Sequence, residues 1–104
     1  MNQDILTAWK NFTADTLVSR GPSLLHAVLL LTSSDGGDIT IYEGQDANSG
    51  TKIARLEGNA DTTKVVRFSP PLPCQRGLYV DVGSSVTEVT VHYSQLAKNY
   101  RFSE

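Results

Sequence analysis

Apolar residues recur at every second position through most of residues 15–93. A half-buried extended strand imposes this period, because successive side chains leave it on opposite faces. In "DITIYEG" Ile39 and Ile41 share one face, with Thr40 and Tyr42 on the other. In "GLYVDVG" Leu78, Val80 and Val82 stand opposite Tyr79 and Asp81. In "VTEVTVHY" Val89, Val91 and Tyr93 point inward while Glu88, Thr90 and His92 point outward. Four less regular segments, "DTLVSR", "LLHAVLLLTS", "TKIARLEG" and "TKVVRFS", bring the count to about seven, each bounded by Gly, Pro, Asn, Asp or Ser turn chemistry. The pattern predicts an all-β fold: a small antiparallel sandwich, jelly-roll-like, with two sheets packed face to face. Residues 24–31, "LLHAVLLL", read as a central strand covered on one face by the other sheet and on the second by a loop or a neighbouring subunit.

A chain of 104 residues and 11.3 kDa has room for one such domain. Its formal charge of -2 offers no basic stripe to neutralise phosphates, so direct nucleic-acid binding is not expected. The longest apolar run falls well short of the roughly 20 residues a membrane-spanning helix needs, and no membrane partner is expected. The start, "MNQDILTAWKNF", carries an aspartate before any basic residue and has no apolar h-region, so a cleaved secretory signal is not expected either.

The ends read differently from the middle. Residues 1–13 hold Ile5, Leu6, Trp9 and Phe12 at spacings of three and four, which predicts a short amphipathic helix in an N-terminal arm. Residues 14–93 make the sandwich, and residues 94–104 form a C-terminal tail carrying Leu96, Tyr100 and Phe102. Neither end can build a core of its own, and an isolated helix this short is marginal in water. Each end must therefore dock on its own sandwich or on another subunit. Trp9, Phe12, Leu96, Tyr100 and Phe102 are the candidate partner-binding residues, among which aromatic anchors such as Trp9, Tyr100 and Phe102 are of the type that concentrates energy at interface centres.

Chemistry finds little support. Asp35, Asp38, Glu43 and Asp46 lack the alternate spacing by which a linear loop converges oxygens on one cation at about 2.3 to 2.6 Å. Asp35-Gly-Gly-Asp38 suits a tight hairpin between the strand ending at Ser33 and the one starting at Ile39. His26 lies in an apolar strand and His92 on a polar face, so a metal site would need a third ligand. The lone Cys74 follows "PPLP" and reads as a small buried hydrophobe. The Gly-rich phosphate loops, the nucleophile elbow and the zinc-protease helix motif are all absent from the sequence. No enzyme, cofactor or resident metal is expected. Lys52, Arg55, Lys64 and Arg67 are expected on two adjacent strands, as a solvated face or as a basic rim steering the domain onto an acidic protein surface.

The run "GPSLLHAVLLLTSSDGGDITIYEGQDANSGTKIARLEG", followed by "GLYVDVGSSVTEVTVHY", resembles small β-sandwich structural proteins of tailed bacteriophages, of the capsid cement or decoration type. Gly21, Pro22, His26, Ala27, Tyr42, Glu43, Gly44, Asp46, Ala47 and residues 77–82 carry the resemblance, which spans about residues 20–93. It implies a non-enzymatic virion protein that bridges major capsid protein subunits on the capsid exterior, assembled in the host cytoplasm. It also implies self-association, with three copies around a local threefold as one arrangement. Other readings remain: a head–tail connector or tail component, or a glycan-binding module using Tyr42, Tyr79 and loop residues Asp46, Asn48 and Asn59. The resemblance transfers no binding residues, and both ends of the chain lie outside it.

Overall fold

All seven expected segments are strands, and an eighth precedes them. The computed structural model describes residues 7–102. In chain order the strands are β1 (Thr7–Phe12), β2 (Thr16–Ser19), β3 (Ser23–Thr32), β4 (Gly37–Glu43), β5 (Thr51–Gly58), β6 (Thr63–Cys74), β7 (Leu78–Val82) and β8 (Val86–Gln95). They make two four-stranded antiparallel sheets, β1-β8-β3-β6 and β2-β7-β4-β5. The chain is all-β, and no helix among the described residues is long and apolar enough to cross a membrane.

The two inner faces make the core. Leu25, Val28 and Leu30 of β3 and Val89 and Val91 of β8 come from one sheet, and Ile39, Ile41, Leu78 and Val80 from the other; all are fully buried. Each such side chain contributes about 1.5 to 3 kcal/mol relative to an exposed one, so this set dominates stability. β3 is central in its sheet, as expected, and a bulge explains its irregular pattern. Leu25 pairs with Tyr93 and Ala27 with His92, leaving His26 as the extra residue. The inward series therefore resumes at Val28 and Leu30, while Leu29 and Leu31 turn to the outer face.

The helix expected within residues 1–13 is not formed over its described part. Residues 7–12 lie along the free edge of β8, from Thr7 opposite Ser94 to Phe12 opposite Val89. Pairing with the free edge of β8 satisfies about half of the backbone groups of a six-residue segment and leaves the rest open to water, whereas a lone helical turn of that length would leave most of them without an intrahelical partner and bury less apolar surface. The consequence is geometric. A spacing of three aligns Trp9 and Phe12 on a helix but sends them to opposite faces of a strand. Phe12 packs against the core and Trp9 points outward. Ile5 and Leu6, the other half of the expected stripe, lie outside the described residues.

The Asp35-Gly-Gly-Asp38 hairpin is also corrected. The turn is tight, with Gly36 N donating to Ser33 O (3.0 Å) and Gly36 at φ +76°, but β3 and β4 lie in different sheets. The segment is a crossover between layers, which brings the 33–36, 59–62 and 83–85 loops to one end of the sandwich. Gly44 and Gly77 meet at the opposite end at φ +148° and +139°. A Cβ on Gly77 would stand 2.7 Å from the Gly44 carbonyl oxygen, so only glycine fits.

Replacing Leu30, fully buried on β3, with alanine should lower unfolding free energy by about 2 to 5 kcal/mol in denaturant titrations. Val65→Ala, at a side chain 49% exposed, should change it by no more than about 0.5 kcal/mol.

Candidate interaction surface

The two outer faces differ in kind. On the β2-β7-β4-β5 sheet, the outward residues include Asp38, Thr40 and Tyr42 of β4, Tyr79 and Asp81 of β7, and Arg55 and Glu57 of β5. Their charges are only partly matched within the chain, with one guanidinium shared by two carboxylates and Asp15 beside Asp81. The Arg55 guanidinium reaches Asp38 at 3.3 Å and Glu57 at 2.9 Å, and Asp15 Oδ1 accepts a hydrogen bond from the Val82 amide at 2.7 Å. Tyr42 and Tyr79 lie tilted at 6.2 Å. Partial burial, then the Asp15 carboxylate beside it, pushes the Asp81 carboxyl above its ordinary range. The same two influences raise Tyr79, in the same order. This is a polar surface with more carboxylates than cations.

The outer face of the other sheet is aromatic and apolar. Trp9, 60% exposed, stands directly opposite His92, and the two rings stack at 4.2 Å with an interplanar angle of 7°. His92 in turn lies 5.0 Å from His26, whose Nε2 is 2.6 Å from the buried Ser94 Oγ. Burial, and next the neighbouring His92, hold His26 below the ordinary imidazole range. Leu29, Leu31 and the half-exposed Val65 continue the face across β3 and β6. Its polar corner is tied up internally, with Asn11 Nδ2 donating to Thr90 Oγ1 (2.8 Å) and Glu88 Oε1 (3.2 Å).

The five candidate binding residues separate accordingly. Trp9 is held out to solvent, while Phe12 is half-buried against the core. Leu96 is half-buried where its amide donates to Pro22 O (2.9 Å). Tyr100, 44% exposed, meets Phe102 edge-on at 5.0 Å. Both are clamped by Gln75, whose Nε2 donates to Tyr100 O (2.8 Å) and whose Oε1 accepts from Phe102 N (2.9 Å). The described part of the tail thus docks on its own sandwich and leaves Tyr100 outward. The Trp9–His92–His26 cluster was not legible as a unit. Its members lie far apart in sequence, and only the pairing of β1 with β8, together with the bulge at His26, brings them together.

The carboxylates of the 35–46 region do not converge. Asp35 and Asp38 line an open cleft of about 450 Å³ with Glu57, Asn59, Ser84 and Ser85. Glu43 is at the other end of the sandwich, paired with Arg76 at 2.9 Å, and Asp46 caps its own loop through Ser49 (2.7 Å). Among the described residues no group of three His, Cys, Asp or Glu could hold a metal ion. The four basic residues do not share one face: Lys52 and Arg55 lie on β5 in one sheet, Lys64 and Arg67 on β6 in the other. Cys74 is fully buried, and burial, with a smaller push from Glu43, takes its thiol up to about 12. Such a thiol is no nucleophile near neutrality. Comparison with family models, with curated proteins and with solved structures found no match to the chain.

Cys74 should resist thiol reagents in the native protein and react once denatured; ready labelling under native conditions would contradict its burial. The hydrogen bonds from Arg76 hold the Glu43 carboxyl below its ordinary value. A depressed carboxylate contributes stability that is full above the unfolded value, about 4.3, and lost as pH falls through the folded one. The stability difference between the wild type and Arg76→Met should therefore shrink as pH drops below about 4 in denaturant titrations.

Proposed function

We propose that this protein is a non-enzymatic virion structural protein, a capsid cement or decoration subunit that bridges major capsid protein subunits through the outer face of the β1-β8-β3-β6 sheet. The observation that carries the reading is Trp9. A tryptophan 60% exposed on a strand, backed by a stacked imidazole and continued by Leu29, Leu31 and Val65, has the composition of an interface centre. The opposite face, with its ion pairs already made, has the composition of a solvated surface.

The sequence resemblance over residues 20–93 supports the virion setting. So does physical economy: a fold that forms without a cofactor and presents one sticky face suits repetition over a symmetric shell. Modest affinity per copy is enough when neighbouring contacts raise effective concentration. Tyr100, exposed beside Phe102, supplies a second aromatic contact for a neighbour. Copy number separates this role from a connector, since cement requires hundreds of copies per particle and a connector ring about a dozen.

Trp9→Ala should leave the thermal midpoint nearly unchanged, since the side chain is exposed, yet weaken affinity for the particle by about 30-fold, the equivalent of a 2 kcal/mol hot spot, and so lower occupancy at subsaturating concentration. Unchanged occupancy, measured by quantitative gel or mass spectrometry of purified particles, would remove Trp9 from the interface.

A further inference from the structure

The Trp9–His92–His26 stack goes beyond packing, because two of its three rings can take up a proton near physiological pH. The geometry makes their protonation interdependent. His92 lies between an indole face at 4.2 Å and a second imidazole at 5.0 Å. His26 is the bulge residue of β3, fixed by its hydrogen bond to the buried Ser94 hydroxyl. Two imidazolium charges at that separation repel, so a proton on one ring disfavours a proton on the other.

We infer that this stack is a pH-sensitive element that changes the charge of the outer sheet face, adhesive while both imidazoles are neutral and carrying an added cation once one of them is protonated. The inference rests on the docking reading only for its consequence at the particle. Burial and His92 both disfavour charge on His26. A cation held over the indole face gains a cation–π contact. Docking against an apolar partner would strip water from that cation without supplying a counter-charge.

Among the described residues few other charges share the face. Arg67 of β6 lies opposite Ala27 in the row that holds His92, and Glu88 lies farther along β8, bonded to Asn11. β1 contributes Thr7, Trp9 and Asn11 to this side, none of them ionisable in this range. Lys98 and Arg101 belong to the tail beyond β8. Among the described residues no carboxylate is bonded to either imidazole.

Trp9 is the only tryptophan, so its fluorescence reports on the stack directly. A titration of the isolated protein from about pH 8 to about pH 5 brackets the ordinary imidazole value of about 6.5. It should show quenching as an imidazolium forms against the indole, and this transition should disappear in His92→Phe, which keeps a flat ring under Trp9. His92→Asn serves as a second non-titrating variant if the first fails to fold. On purified particles, wild-type occupancy should fall about tenfold between about pH 7.5 and about pH 5.5, as expected for desolvating an unpaired charge. His26→Asn/His92→Phe should keep its occupancy at both values. A wild-type fluorescence profile that is flat, or equal to that of His92→Phe, overturns the inference. Equal wild-type occupancy at both pH values also overturns it while leaving the docking reading intact. Occupancy at neither pH overturns the docking reading and the gating with it.

Discussion

The structure depends on the interlocking of two apolar faces. Val28 and Leu30 on β3 and Val89 and Val91 on β8 face Ile39 and Ile41 on β4 and Leu78 and Val80 on β7, all without solvent contact. Because side chains alternate along a strand, fixing these residues inward fixes their neighbours outward, and slipping any strand by one residue would exchange the two sets. The inward lock on Val89 and Val91 is therefore what turns Thr90 and His92 to the surface. Phe12, seated against the core opposite Val89, is what sets the register that puts Trp9 beside His92.

The chain consequently presents two unlike surfaces on one scaffold. One is polar, with Arg55 between Asp38 and Glu57 and Asp15 beside Asp81, and carries a pair of tyrosines. The other leaves an indole and several aliphatic side chains in contact with water, ties Asn11 to Thr90 and Glu88, and carries Arg67 at its β6 edge. At the end of the molecule that holds Gln75, Arg76 and Gln75 pin the 44–50 loop and the tail, so the aromatic residues there are positioned by specific bonds. This division of labour underlies the docking role proposed for the apolar face.

Much of the fold was legible because strands with one buried face advertise it. β4, β7 and β8 alternate cleanly, and their inward residues are those named from the sequence. β1 was misread because Trp9 and Phe12, three apart, fit a helical stripe as well as they fit opposite sides of a strand, and only the free edge of β8 decides between them. The Asp35-Gly-Gly-Asp38 turn was recognised as tight, but a local turn signal does not say whether the strands it joins share a sheet. For the same reason Lys52 and Arg55 were grouped with Lys64 and Arg67, although a layer change separates them. On the candidate surface, Trp9 and Tyr100 could be singled out as aromatics in apolar ends, while Phe12 proved to be core-facing. The histidine neighbours of Trp9 come from pairings between distant parts of the chain, which no local pattern encodes.

The central claim is that the β1-β8-β3-β6 sheet turns its outer face to a neighbouring subunit. A density map of the assembled particle at side-chain resolution tests it most directly. The account predicts that Trp9, Leu29 and Val65 are covered by a capsid subunit, with the Tyr42 and Tyr79 face toward solvent. A map with Trp9 in open solvent and the tyrosine-bearing sheet against the shell would contradict it, as would particles that lack the protein altogether.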